Sequence, residues 1–266
     1  MQQRRPHSAY SSRRISVPLY ARPKVELCVE TGVTRNRGHA WPYAKFEINV
    51  QRLSNNSLAS AAFHQAMFDF MPGGGYRELC QDGYVLYAEF AADFSGLNVA
   101  DYDAYSPRMV NGGWILPSGD LETINLDDGK RTREYAFTIY QKDQQEWEVH
   151  RHRRRRIILR AEAKRRFNHT PTYRKIRLAE LPTIRNPFAT LGIYERARLV
   201  EVFRAQGDRN FLEAAQRIGL QGAFAGTGGG NRARRERKLT LCHVDWWNPE
   251  QVWAGANDAV ESALQL

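Results

Sequence analysis

A chain of 266 residues, 42% hydrophobic and 11% aromatic, can bury a sizeable core in one large domain or two small ones. Its apolar runs fall short of the ~18 residues that a membrane span needs. Three scattered cysteines (Cys28, Cys80, Cys242) have neither metal-ligand spacing nor the even count of a disulfide framework. Transmembrane, zinc-ribbon and disulfide-stapled classes are set aside, and the formal net charge of +10 points to a polyanionic partner in a cytoplasmic setting.

The charge is segregated. Residues 1–24 hold six basic groups and no acid, residues 150–166 nine against one, and residues 231–238 five against one. Residues 78–134 hold eleven acids against four basic groups. This pattern predicts a basic face on an otherwise ordinary globule.

In chain order, residues 1–20 show no periodicity and predict a basic N-terminal arm, ordered only on a partner. Lys24–Glu30 alternates polar and apolar residues as a half-buried strand does, and Ala44–Val50 repeats the pattern. Between them a predicted loop, Thr31–Tyr43, carries Arg35, Arg37, His39, Trp41 and Tyr43. That composition suits a site at a strand end, and it equally suits a surface loop with a packed tryptophan. Leu58, Ala62, Phe63, Ala66, Met67 and Phe70 recur at helical spacing, and Pro72 with Gly73–Gly75 stops the helix. His64 beside that stripe reads as packed or solvated. Tyr84–Phe90 reads as a strand and Asp93–Tyr105 as an irregular excursion. Asp101 and Asp103 lack the His, Cys or EF-hand partners of a metal site. Short strands are predicted at Gly113–Leu116 and Glu122–Leu126, with a turn at Asp127–Lys130 leading into Glu134–Tyr140.

From Asp143 the composition shifts. Arg151, Arg153, Arg154, Arg155 and Arg156 lead into Ile157–Leu159 and then Lys164–Arg166. The apolar trio is too short to decide between helix and strand. A helix here would repel itself unless an anion neutralised it, so the segment is assigned to nucleic-acid contact. Tyr194–Ala205 and Asn210–Ile218 read as helices, with Asp208 as the N-cap of the second.

Six glycines then fall within Gly219–Gly230, read as a loop whose backbone is free to approach an anion closely. Arg232, Arg234, Arg235, Arg237 and Lys238 follow at once. A P-loop requires Lys-Ser or Lys-Thr after its last glycine, and a dinucleotide fingerprint requires a strand before it; neither is present. The expected anion is therefore an RNA or DNA backbone, held beside Gly226, Gly228, Gly229 and Gly230. Ile218-Gly219-Leu220 suits a helix-turn-helix turn, but glycines occupy the place where its recognition helix should begin. Lys238–Val244 reads as a closing strand, and Asp245–Pro249 opens a last helix.

A helix, a glycine-rich loop with cations and then a strand, in a basic chain with separated βαβ-like pieces, resembles the RAMP superfamily of CRISPR systems. Within it the chain is most similar to the repeat-processing endoribonucleases, above all the divergent arginine-rich version of type IV systems. The resemblance implies an α+β fold of two ferredoxin-like (RRM-like) modules with a basic helical insertion. The parts would be an arm over 1–20, a first module over 21–142, the arginine-rich segment over 143–190 and C-terminal ferredoxin-like elements over 191–266. It implies cleavage of repeat stem-loop RNA without metal or cofactor, by attack of a 2′-hydroxyl on the neighbouring phosphate. Mature crRNA would then be retained in a ribonucleoprotein with other CRISPR effector subunits. His39 would act as base or acid, Tyr43 would donate a proton or orient the ribose, and Arg22, Arg35 and Arg37 would neutralise the phosphorane. Two alternatives stand beside it: a non-catalytic RNA-binding subunit, and a DNA-binding or phage-type structural protein.

Overall fold

Alternating apolar residues near the N-terminus and helical periodicity near the C-terminus build a mixed α+β protein with antiparallel sheets. The computed structural model describes residues 13–21, 24–36, 39–48, 57–115, 123–130, 135–143, 157–167, 176–205 and 208–264. The chain divides into two units, residues 1–83 with 259–266, and residues 84–258. The expected parts, by contrast, were bounded at 20, 142 and 190.

In the first unit, β1 (Arg13–Ala21), β2 (Lys24–Asn36) and β3 (His39–Glu47) form a sheet in that order, antiparallel throughout. Leu19, Leu27 and Val29, with Val17, Phe46 and Ile48, pack against Ala59, Met67 and Tyr76 from helices α1 (Ser57–Phe70) and α2 (Gly75–Asp82). Each such aliphatic side chain removed from water contributes roughly 1.5–3 kcal/mol. The expected arm is corrected here: residues 1–12 lie outside the described residues, whereas Arg13–Ala21 is a strand, because Val17 and Leu19 alternate inward. The expected loop over Thr31–Tyr43 is also corrected. β2 pairs with β3 from Cys28↔Glu47 to Asn36↔His39, so residues 31–36 and 39–43 belong to two paired strands. His64 is packed, its Nδ1 2.9 Å from the Tyr76 hydroxyl.

The second unit is built on a five-stranded antiparallel sheet ordered β4-β9-β8-β7-β6. Its strands are β4 (Tyr87–Ser95), β6 (Asn111–Ile115), β7 (Thr123–Asp127), β8 (Tyr135–Gln141) and β9 (Ile158–Arg166). A separate pair joins β5 (Tyr102–Tyr105) to β10 (Gly192–Glu195). Residues 158–166, expected within a helical insertion, form the strand between β4 and β8. Leu159, Ala161 and Ala163 alternate into the core, while Arg160 and Lys164 stand on the other face. There they are paired within the sheet. Arg160 donates to both oxygens of Asp93 (2.6 and 3.0 Å), and Lys164 approaches Glu162 at 3.2 Å. Two of the nine cations counted over residues 150–166 are therefore paired within the sheet.

Helices α3 (Arg196–Ala205), α4 (Arg209–Ala225), α5 (Gly229–Leu239) and α6 (Pro249–Leu264) follow. Phe203, Phe211, Leu212, Leu220, Phe224 and Leu239 bury against one another. The tandem tryptophans anchor rather than protrude: Trp247 is buried and its indole N–H donates to the Leu191 carbonyl at 2.8 Å. α4 is broken once, at Gly219 (φ 80°), where an added Cβ would lie 2.8 Å from the Trp114 indole nitrogen. Buried side chains reclaim the polar groups at the break. Asp103 accepts the Leu220 N–H at 3.0 Å, and Gln221 accepts from the Ser106 N–H and donates to the Met109 carbonyl.

Two expectations about the C-terminal third are corrected by these helices. Gly219–Gly230 is not a loop, since only Gly226–Gly228 separate α4 from α5, and of its glycines only Gly219 takes a positive φ. Lys238–Val244 is not a strand. Leu239 and Cys242 are buried while Leu241 is 58% exposed, the spacing of a helical turn rather than a pleat.

Candidate nucleic-acid interface

α5 begins where the glycine run ends. Gly228 is its N-cap, Gly229 and Gly230 form its first turn, and an added Cβ at any of the three would meet open space. Packing does not require these glycines, and glycine inside a helix costs ~1 kcal/mol relative to alanine. A function that keeps them is close approach of another backbone. Replacing both Gly229 and Gly230 with Ala is expected to raise the unfolding midpoint while weakening RNA binding. Calorimetry and a titration on the same preparation check the two opposite signs, and unchanged affinity would remove the glycines from the contact.

Past the glycines the helix carries Arg232, Arg234, Arg235, Arg237 and Lys238. Three of them converge on Asp208, at the junction of α3 and α4, whose side chain is 2% exposed. Arg234 donates to Asp208 Oδ1 at 2.7 Å and Arg235 at 3.1 Å, while Lys238 donates to Oδ2. Burial alone would raise the Asp208 carboxyl. Hydrogen bonds from Lys238 and Arg235, with the charges of Lys238 and Arg234, outweigh it and hold the group below the ordinary carboxylate range. Asp208 stands at the predicted N-cap position of α4, yet its side chain makes no capping bond and serves α5 instead.

The long side chains are fixed from beneath. The Arg235 guanidinium lies 4.6 Å from the Phe211 ring centroid and donates to Thr227 Oγ1 at 2.9 Å; Lys238 Nζ lies 5.8 Å from that of Phe203. Arg232 bonds the Tyr105 hydroxyl at 2.9 Å and Glu236 at 3.2 Å, and the same hydroxyl donates to Glu236. Burial, then the bond to Glu236, pushes the Tyr105 phenol up to about 12. Four cations thus engage two carboxylates, Asp208 and Glu236, and Arg237 adds to the positive surplus. Arg234 keeps 43% of its side chain exposed and Arg237 is exposed, so both can reach an anion outside the fold. With guanidiniums permanently charged and the phenol raised, this helix is equipped to hold phosphate rather than to move protons.

Of the other candidate residues, Arg35 lies on β2 and His39 and Tyr43 on β3. Arg22, Arg37, Arg151, Arg153, Arg154, Arg155 and Arg156 lie outside the described residues. Gly226 is the C-cap of α4. Sequence reasoning missed Tyr105, Thr227 and the role of Asp208. The 234, 235, 238 spacing of the cations was a signal of one shared helical face, hidden by reading Lys238 as the start of a strand. Among the described residues no helix is long and apolar enough to cross a membrane. A scan against protein-family models finds no match for this chain, and a search of curated proteins likewise finds none.

Proposed function

We propose that this protein binds RNA through the glycine-led basic helix α5 and is a metal-independent endoribonuclease that matures CRISPR repeat RNA. The observation that carries the binding is the array of Arg234, Arg235 and Lys238, held in place by one buried carboxylate with charge to spare. Aligned cations give a phosphate backbone most of its affinity, and alignment in advance spares the entropy of ordering them. The chemistry rests on the resemblance and on His39 and Tyr43, which lie four residues apart on β3. A histidine titrates near neutrality and can take the 2′-hydroxyl proton or return one to the 5′ oxygen. Of the two ferredoxin-like modules implied, the layering of helices against antiparallel sheet is the supporting feature, whereas the strand order of the larger sheet departs from the split βαβ pattern.

Incubating the protein with a repeat stem-loop RNA in EDTA tests this reading. A product ending in a 2′,3′-cyclic phosphate is expected, blocked by a 2′-deoxy substitution at the scissile nucleotide. His39→Ala should slow cleavage at least tenfold and leave binding intact. Tight binding without cleavage would support the non-catalytic subunit. Duplex DNA binding is the second reading, favoured by one finding: the glycines that were expected to prevent a recognition helix instead begin α5.

A further inference from the structure

Most polar side chains of α5 are committed inside the fold. Arg232 and Glu236 bond each other and Tyr105, while Arg234, Arg235 and Lys238 bond Asp208. The other two, Asn231 and Arg237, are exposed and bond to nothing among the described residues. Asn231, Arg234 and Arg237 follow one another three residues apart, so neighbouring Cβ atoms lie ~5–6 Å apart and the three form one ridge along ~9 Å of helix. Beside that ridge the exposed Gly230 and Ala233 carry nothing larger than a methyl group, which leaves it standing clear. A phosphate backbone accounts for the two arginines but not for the amide. Asn231 is uncharged, is a poorer helix former than alanine, and closes no capping box, since the N-cap three residues before it is Gly228 and no side chain caps the helix. The first turn also holds no acidic residue to repel a phosphate strand.

We propose that Asn231 is the base-reading residue of α5, its carboxamide bonding the N6 and N7 edge of one unpaired adenine while Arg234 and Arg237 hold the neighbouring phosphates; this rests on the RNA-binding reading above. A carboxamide sets one acceptor beside one donor, and adenine offers the complement, an N6 amine beside the N7 acceptor. Uracil has no such pair on that edge. An A-form RNA duplex presents a deep, narrow major groove that side chains cannot read, so in RNA the edge must belong to an unpaired base. The ridge then divides the work along its length. Its two guanidiniums attract any ribose-phosphate strand, and its one neutral amide discriminates between strands.

The test is an anisotropy titration, over a salt series, of fluorescein-labelled oligoadenylate, oligouridylate and an oligomer of 7-deazaadenosine, whose ring lacks the N7 acceptor. Wild type is expected to bind oligoadenylate roughly 5-fold to 150-fold more tightly than either of the others. Asn231→Ala, an exposed change to a better helix former, should abolish that preference and leave the oligouridylate affinity and every salt slope unchanged. Arg237→Ala should do the reverse, weakening all three alike and lowering each slope by ~0.7. Wild type that holds oligouridylate or the 7-deaza strand as tightly as oligoadenylate overturns the proposal. So does an Asn231→Ala variant that keeps the preference, or that loses affinity for all three strands alike. Wild type that binds a repeat stem-loop but none of the three single strands removes the base-reading role alone, whereas wild type that binds no RNA at all removes the RNA reading with it. Tighter binding of oligodeoxyadenylate than of oligoadenylate would overturn the commitment to RNA.

Discussion

Asp208→Ala is expected to cost ~3–5 kcal/mol of stability, because it removes the single carboxylate around which three cations are gathered. Lys238 and Arg235 keep only 11% and 17% of their side chains exposed, so neither can recover full hydration once the acid is gone. For a chain of this length each kcal/mol moves the unfolding midpoint by ~2–4 °C, which makes a shift on the order of 10 °C. Asp208→Asn should lose less, since an amide still accepts from one or two of the donors. The pH dependence has a definite sign. Asp208 is held below its ordinary range in the fold, so its contribution is fully present above the unfolded pKa of 3.8 and is lost as pH falls below that. RNA affinity should fall as well, even though the net charge becomes more positive, because the freed side chains must be ordered by the ligand. A variant that melts like wild type would show that the cluster is ornamental.

How much of this was legible in the sequence depended on whether a signal was local. The strand of Lys24–Glu30, the helix stopped at Pro72 and the short strands before Tyr140 are set by period and by turn residues within a few positions, and all three are present. The glycine run misled because glycine marks permission, not requirement. Helix α5 starts on glycines in ordinary helical conformation because it is supported from outside itself, by Asp208 and by the packing of Leu239. Residues 158–166 were misjudged for the opposite reason. Their cations suggested exposure, but Asp93 on β4, 67 residues away, pairs with Arg160 across the sheet, and Glu162 on the same strand pairs with Lys164. Charge counted along the chain cannot see a partner on another strand.

Asp103 is expected to contribute stability that rises, not falls, as the pH is lowered from about 6 to about 4. Its side chain is buried at the break in α4, where it accepts the N–H groups of Ala104 (2.8 Å) and Leu220 (3.0 Å). Burial penalises the anion more than the Arg196 charge and these two N–H groups favour it, so the carboxyl is pushed up to about 6 from the model-compound value of 3.8. The folded state therefore binds this proton more tightly than the unfolded state does. Stability gains ~1.4 kcal/mol for each pH unit descended between those values, up to ~3 kcal/mol in all. Asp93 and Asp208 act in the opposite sense, both lowered in the fold, and their contributions disappear below about pH 4. The Asp103 contribution thus runs against those of Asp93 and Asp208 as the pH falls. Denaturant titrations of wild type and Asp103→Asn at half-unit steps from pH 8 to pH 3.5 check it. The difference between the two should be flat above about 6.5 and change only between 6 and 4; parallel profiles would mean that Asp103 does not carry a raised pKa and that the limb beyond Gly219 is held some other way.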